Sequence, residues 1–256
     1  MPKIAARKLE ELLKKHLDEF YSRRVAKLTG LNLTEALSKK NPYLFRAKGV
    51  QQASEIVAEL LQAHISSSDE TIFGDAFFEP IAKAVSGGHV GGGEGIDIIQ
   101  ETDTTVTAYA VKSGPHWGNA DQWNRQRQNF QSLQNRLRKL HKAFDPVLGY
   151  GYGKRNTDPK KSKNYRQRSG QAFWEELTGD PDFYLKLIRL MKHYPQEHRV
   201  RYQIEWKKAV HRFERELLNN FSTPDGDIDW EKLVEFNSGK QTRNLKKSRS
   251  ATAKRL

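Results

Sequence analysis

The chain has 256 residues, with 44 Lys or Arg against 31 Asp or Glu, a net charge of +13 and no cysteine. Its length fits one large domain with a sizeable core, and the lack of cysteine excludes disulfides, thiolate zinc sites and cysteine nucleophiles. The basic charge favours a polyanionic partner, with nucleic acid as the first candidate and a basic but otherwise ordinary enzyme as the alternative.

The N-terminal third is predicted to be helical. Apolar residues recur at helical spacing over residues 4–28, which predicts an amphipathic helix. Shorter helices are predicted over residues 31–40 and 50–64, with a break at Asn41 and Pro42. The chain shows neither the apolar centre of a signal peptide nor the roughly 20 apolar residues that span a bilayer. We therefore expect a cytoplasmic protein that is not embedded in a membrane.

The next segment predicts a helix followed by a β-hairpin. Residues 66–88 predict a helix that begins at Ser and Asp capping residues and ends at two glycines. A glycine-rich turn leads into a short strand in HVGGGEGIDIIQ, and the β-branched and aromatic segment TTVTAYAVKSG predicts the partner strand, with the turn at residues 101–104. Alternation places Val106, Ala108, Ala110 and Lys112 on one face of that strand.

The C-terminal half predicts a long polar helix over residues 121–144, a strand over 146–152, an irregular basic stretch over 153–169, and helices over 182–191 and 203–221. An Asp-capped turn is predicted before a last helix that starts at Trp230. Residues 240–256 contain seven Lys or Arg and no acid, which predicts disorder until this tail meets a polyanion.

Two residues of the predicted hairpin suggest a catalytic site. Asp97 lies in the first strand and Lys112 near the end of the second, so the two can meet at one end of the pair. Hydrolysis of a phosphodiester needs carboxylates that hold Mg²⁺ against the phosphate, and a cation or base that orients the attacking water. Asp97 and Lys112 supply that minimum. The alternative is an ordinary hairpin with one Asp near a turn and one solvated Lys.

The order of these elements resembles the PD-(D/E)XK nuclease superfamily: a helix with Glu79, a glycine turn, a strand with Asp97, a second strand ending in Lys112, and a helix. The phrases FFEP, GGGEGIDI and VKSGPHWGN resemble a group of type II restriction endonucleases in that superfamily. The similarity extends from about Asn41 through FWEELTGDPDFY to DGDIDWEKLVEFNSG.

The resemblance implies an α/β fold: a restriction-endonuclease-like core with a mixed central sheet flanked by helices, and helical additions at both ends. We expect a helical N-terminal extension over residues 1–40, a nuclease core with a DNA-binding loop and helices over 41–238, and a basic disordered tail over 239–256. The N-terminal amphipathic helix either forms a dimer interface or packs on its own core.

The resemblance also assigns roles at the site. Asp97 matches the first metal-binding carboxylate, Lys112 matches the motif lysine, and the backbone carbonyl of Val111 would be a further Mg²⁺ ligand. The chain departs from the motif at Ala110, where the family has an acidic residue.

Three other acids are candidates for the carboxylate that Ala110 lacks. Glu79 is the first choice because it lies on the helix that precedes the hairpin, Glu94 in the glycine turn is the second, and Asp121 is the third. The competing interpretations are a helix charge next to Pro80 for Glu79 and a simple loop acid for Glu94.

The expected function is that of a type II restriction endonuclease: Mg²⁺-dependent, sequence-specific hydrolysis of double-stranded DNA. Cleavage at a palindromic site would favour a homodimer. Two alternatives remain at this point. One is a repair or recombination nuclease that recognises DNA structure, and the other, motivated by Ala110, is a catalytically inactive nucleic-acid-binding module.

Residues 112–168 are the expected DNA-binding region, because they contain 14 Lys or Arg against three Asp. A solvated face is the alternative explanation for the basic residues of the long helix. The residues expected to contact DNA are His116, Asn119, Arg125, Arg127, Lys154, Arg155, Arg166 and Arg168.

Overall fold

The computed structural model of the chain describes residues 4–159 and 164–239. The helices are α1 (Ala6–Thr29), α2 (Leu33–Ser38), α3 (Pro42–Ala47), α4 (Ala53–Phe73), α5 (Glu79–Val85), α6 (Ala120–Leu137), α7 (Gln171–Thr178), α8 (Phe183–Met191), α9 (Tyr194–Phe221) and α10 (Trp230–Ser238). The strands are β1 (Ile98–Glu101), β2 (Thr105–Lys112), β3 (Ala143–Tyr150) and β4 (Arg166–Ser169). A π-helical turn, Gly74–Phe78, joins α4 to α5, and a 3₁₀ turn, Arg138–Leu140, follows α6. None of the described helices combines the length and the apolar character that crossing a membrane requires.

The chain divides into two compact units. Unit 1 comprises Met1–Ala26 and Ser66–Tyr202, and it contains the whole described sheet. Unit 2 comprises Lys27–Ile65 and Gln203–Leu256.

The sheet is mixed, as predicted, with strand order β1-β2-β3-β4. β1 and β2 form an antiparallel hairpin, while β2 pairs with β3 and β3 pairs with β4 in parallel. The two faces of β2 follow the predicted alternation. Val106, Ala108 and Ala110 belong to a core cluster with Phe130 of α6, whereas Tyr109 belongs to a second cluster on the opposite face.

Helix α1 confirms the predicted N-terminal amphipathic helix. Its buried residues Leu9, Leu13 and Leu17 belong to the same core cluster as Ile81 of α5 and Trp174 of α7. Within unit 1, the apolar face of α1 therefore packs on the core of its own chain. This agrees with the second of the two alternatives for this helix, a dimer interface or packing on its own core.

The prediction that a new helix begins at residues 66–69 is wrong, because α4 continues through them to Phe73. Asp69, expected to cap, instead accepts two hydrogen bonds from Arg24 at 2.6 and 2.8 Å. At Gly74 a Cβ would lie 3.2 Å from the Ser113 Cβ. The π-helical turn that starts there lies against the residue after Lys112, and π-helical turns are frequent at functional sites.

Two predictions in the C-terminal half of unit 1 are corrected. Phe144 belongs to β3 and not to the long helix, which ends at Leu137 and is followed by His141 in the left-handed conformation (φ 53°). The stretch predicted to be irregular contains β4. Its residue Gln167 is buried and donates to the Tyr150 hydroxyl at 2.8 Å, so a polar sequence without strand alternation forms this strand through tertiary pairing.

Unit 2 confirms the capped C-terminal helix. The Asp229 carboxylate accepts a hydrogen bond from the Lys232 amide at 2.9 Å, as an N-cap of α10. The Asn237 amide donates to the carbonyls of Leu37 and Lys40 at 2.9 and 2.6 Å. Beyond Gly239, the predicted basic tail lies outside the described residues.

Candidate active site

Asp97 is fixed at the open end of the hairpin by two backbone hydrogen bonds. It immediately precedes β1, and its amide donates to the Tyr109 carbonyl at 2.8 Å, which extends the predicted strand pairing by one residue. Its Oδ2 accepts a hydrogen bond from the Val111 amide at 2.7 Å. The side chain is 14% exposed, so this carboxylate is held in one orientation in a largely dry environment.

Glu79 meets Asp97 from a different element. Glu79 opens α5, and Lys83 lies one turn later on the same helix. The Lys83 Nζ is 2.5 Å from Glu79 Oε1 and 3.9 Å from Asp97 Oδ1. One ammonium group therefore lies between two carboxylates. Sequence reasoning did not identify Lys83; the four-residue spacing from Glu79 indicated a helical ion pair, but no local signal indicated Asp97 as a neighbour.

The surroundings of Asp97 and Asp75 change the pKa of both carboxyl groups. Burial, together with the negative charge of Glu79, raises the pKa of Asp97 to about 6, against the opposing effects of the Val111 amide, Lys112 and Lys83. Partial burial and the charge of Glu79 also raise the pKa of Asp75 in the π-helical turn. Burial and Glu79 thus perturb the pKa of both aspartates, and perturbed pKa values are typical of functional sites.

Lys112 ends β2 beside these acids. Lys112 directly follows Val111, whose amide donates to Asp97, and its positive charge opposes the rise in the pKa of both Asp97 and Asp75. Its Nζ lies 5.2 Å from the centre of the Trp117 ring, within cation–π range. The predicted meeting of Asp97 and Lys112 at one end of the hairpin agrees with this geometry.

The other two candidate acids have different surroundings. Glu94 is 70% exposed in the glycine-rich segment and forms an ion pair with Arg125. Asp121 is exposed in the first turn of α6, where a negative charge suits the helix dipole. Of the three candidates, the structure brings Glu79 next to Asp97.

The carboxylates of Asp97 and Glu79 are the candidate oxygen donors for Mg²⁺. Among residues 4–159 and 164–239, no group of three or more His, Asp or Glu side chains is arranged to hold a metal. Mg²⁺ commonly binds through one or two protein carboxylates and completes its shell with water and substrate phosphate oxygens. Asp97 and Glu79 offer two carboxylates of this kind, and Mg²⁺ would compete with the Lys83 ammonium for their oxygens.

Three predicted DNA-contact residues are held by contacts within unit 1. Arg166 donates to Asp145 at 2.7 Å and to Glu176 at 2.9 Å, with a side chain only 19% exposed. Arg168 pairs with Asp158 at 2.7 Å and lies 3.4 Å from Glu176. Arg155 donates to the Pro115 carbonyl at 2.8 Å. A phosphate would have to compete with these partners.

The remaining predicted contact residues lie closer to solvent. Lys154 and His116 are exposed. Arg127 is exposed and donates to Asn124 at 2.8 Å, and exposed Arg125 pairs with Glu94. Asn119 is the N-cap of α6, where its side chain and that of Gln122 form a capping box.

Comparison with known proteins supplies the family. Residues 7–199 match the family model described as type II restriction endonuclease EcoO109I. The match spans about three quarters of the chain and includes every residue of the candidate site. No curated protein matches the chain. The resemblance seen in the sequence is confirmed at the level of the family: the chain belongs to the EcoO109I family of type II restriction endonucleases.

Proposed function

We propose that the protein is a Mg²⁺-dependent endonuclease that hydrolyses both strands of double-stranded DNA at a specific sequence. One observation carries the proposal: the carboxylates of Asp97 and Glu79 converge from the hairpin and from α5, at the end of the hairpin where β2 ends in Lys112. In a chain of this family, that arrangement provides two carboxylates and two cations, Lys83 and Lys112, at the open end of the hairpin. Glu79 then supplies the carboxylate that β2 lacks at Ala110.

The chain's own residues would divide the chemistry among them. Asp97, Glu79 and the Val111 carbonyl would hold Mg²⁺, which when bound draws charge away from the scissile phosphate and promotes ionisation of water. The Val111 amide donates a hydrogen bond to Asp97 Oδ2. This bond limits rotation of the carboxylate. Lys112 donates hydrogen bonds to the attacking water and to the phosphate oxygens, where negative charge accumulates in the transition state.

The proposed DNA surface combines exposed basic residues with a supporting ion network. Lys154, Arg125 and Arg127 are exposed and are the proposed phosphate contacts; phosphates would compete with Glu94 for Arg125 and with Asn124 for Arg127. Arg166 and Arg168 of β4 form ion pairs with Glu176 of α7, and these pairs connect the strand to the helix. Two active sites would cut both strands in one binding event, so we propose a homodimer that places one site on each strand.

Digestion of a circular plasmid tests the proposed function. With Mg²⁺ we expect a reproducible set of linear fragments whose ends map to one short sequence, and no cleavage with excess chelator. A nuclease that recognises DNA structure would instead cut flaps or junctions and leave linear duplex intact. An inactive binding module would retard DNA without breaking it. The Asp97→Asn variant is the control for a contaminating nuclease.

Salt is expected to weaken DNA binding steeply. Each phosphate contact releases counterions, so the logarithm of the affinity should fall linearly with the logarithm of salt concentration, with a slope of about −0.9 per contact. Fluorescence anisotropy with a labelled duplex in chelator measures this slope. We expect about −4 or steeper for the wild type and a slope smaller by about one for Lys154→Ala. A nearly flat dependence would contradict a binding surface built on these basic residues.

Acid is expected to weaken Mg²⁺ binding by the DNA-free protein. Protons and Mg²⁺ compete for the Asp97 carboxylate, whose pKa is about 6. The affinity should be constant well above that pH and fall about tenfold per pH unit well below it. Isothermal titration calorimetry at a series of pH values measures this dependence. Asp97→Asn should bind weakly without such a transition, whereas an unchanged wild-type affinity down to about pH 5 would contradict the assignment.

A further inference from the structure

A stack of cations and aromatic rings extends from Lys112 to Arg155. The Lys112 Nζ lies 5.2 Å from the centre of the Trp117 ring. The centres of the Trp117 and Trp123 rings are 5.1 Å apart, with planes inclined by 46°. The Arg155 guanidinium carbon lies 5.9 Å from the centre of the Trp123 ring. Each ring therefore faces one cation, and the two rings contact each other.

Local contacts hold the Trp123 ring, and both rings pack on the core. The Trp123 indole N–H donates to the Gly118 carbonyl at 3.0 Å, and the capping box of Asn119 and Gln122 fixes the start of α6 between the two rings. Both indoles pack against the core cluster that contains Ala110. The rings thus belong to a fixed part of unit 1 next to the end of β2.

The segment after Lys112 is also packed against the segment after β3. The Tyr152 amide donates to the Ser113 carbonyl at 3.2 Å, and Arg155 donates to the Pro115 carbonyl at 2.8 Å. The end of the Tyr152 ring lies directly against Gly114, where an added Cβ would be 2.4 Å from it. Movement of Tyr152 or Arg155 would therefore act directly on the backbone that follows Lys112.

Lysine needs such support if it is to act at a reacting group. Its ammonium sits on a flexible four-carbon stem, and a small misplacement of a reacting group can cost orders of magnitude in rate. The face of a tryptophan attracts the ammonium and restricts its directions. Arg155, held by a carbonyl and by the second ring, is poorly placed to leave for a phosphate.

We propose that Trp117 is a positioning residue for Lys112, and that Arg155 acts on Lys112 through the Trp123 and Trp117 rings and not as a phosphate contact. This inference rests on the proposed catalytic role of Lys112. It assigns different tasks to two adjacent basic residues: Lys154 binds DNA, and Arg155 supports the catalytic lysine.

Trp117 variants of the full chain test the first part. The substrate is a duplex that contains the site mapped by plasmid digestion, and the readouts are the single-turnover rate at saturating protein and the Kd in chelator. Trp117→Leu should lower the rate at least about tenfold with a Kd within about twofold, and Trp117→Phe, which keeps an aromatic face, should recover most of it. Trp230→Leu is the matched control, because Arg46 contacts that ring at 5.5 Å within unit 2, and it should keep the wild-type rate.

Arg155→Met and Lys154→Met test the second part. Arg155→Met should slow cleavage at an unchanged Kd and salt slope, and the double variant with Trp117→Leu should be no slower than Trp117→Leu alone. Lys154→Met should weaken binding and reduce the salt slope by about one. The proposal is overturned if Trp117→Leu cuts at the wild-type rate, or if Trp117→Phe cuts no faster than Trp117→Leu. It is also overturned if Arg155→Met weakens DNA binding and reduces the salt slope as Lys154→Met does.

The outcomes separate this inference from the proposed function. If Lys112→Ala still cuts, the assignment of the catalytic lysine is wrong and the stack has no catalytic partner. If Lys112→Ala is inactive but Trp117→Leu is normal, only the positioning role fails. If the melting temperature of Trp117→Leu is well below that of the wild type, the cleavage rates of Trp117→Phe and Arg155→Met test the proposal instead. A weaker Kd for Trp117→Leu would indicate that the ring stacks on a DNA base instead.

Discussion

Lys112→Ala is expected to lower the cleavage rate by about 10²–10³-fold or more while the DNA Kd changes little. The lysine lies beside Asp97 at the end of β2, where its charge acts on the reacting phosphate and water and contributes one cation among many to affinity. Loss of one preorganised donor to a transition-state oxyanion has effects of this size. Single-turnover cleavage and anisotropy measure the two quantities separately.

Lys142→Ala is the matched control for that variant. Lys142 pairs with Glu101 at 2.6 Å, at the turn end of the hairpin, whereas Lys112 ends β2 at the open end. We expect Lys142→Ala to cut at the wild-type rate. A Lys112→Ala protein with nearly normal cleavage would show that the site is wrongly assigned.

Glu79→Gln is expected to depress cleavage by about 10²-fold or more, because it keeps the shape of the side chain and removes the second carboxylate from the proposed Mg²⁺ ligands. The remaining Asp97 would bind the ion more weakly. Part of the activity should therefore return at higher Mg²⁺ concentration, and the Mg²⁺ concentration for half-maximal rate should rise. Cleavage measured over a series of Mg²⁺ concentrations distinguishes this effect from loss of DNA binding.

Glu94→Gln is the comparison for the Glu79 variant. Glu94 is 70% exposed and paired with Arg125, so we expect its variant to cut nearly as well as the wild type and to need no extra Mg²⁺. If Glu79→Gln cuts normally and Glu94→Gln is inactive, the second carboxylate comes from the glycine-rich turn. In that case the pair of Glu79 and Lys83 serves only to stabilise α5.

Much of the fold could be predicted because its signals are local. The alternation along β2 predicted its two faces, and period-two patterns depend only on neighbouring residues. The helical spacing of Leu9, Leu13 and Leu17 predicted α1, and Asp229 predicted the start of α10. The strand β4 carried no such signal, because it consists of polar residues whose pairing with β3 supplies the stability.

Half of the candidate site could also be derived from the sequence. Asp97 and Lys112 were identified because a hairpin brings the ends of consecutive strands together. Ala110 showed that an acid was missing from the motif, which predicted either an acid from another element or an inactive binding module. The sequence ranked Glu79 above Glu94 because Glu79 lies on the helix before the hairpin, but it gave no distance from either acid to Asp97.

The tertiary structure decided the contacts between residues distant in sequence. Packing of α5 against the sheet brings Glu79 and Lys83 to Asp97, and Asp145 and Glu176 hold Arg166, which the sequence indicated only as a free basic residue. Such partners depend on the path of the backbone and not on composition. The physical reason is that periodicity encodes which face of an element is buried, whereas ion pairs between elements require the distances that only packing defines.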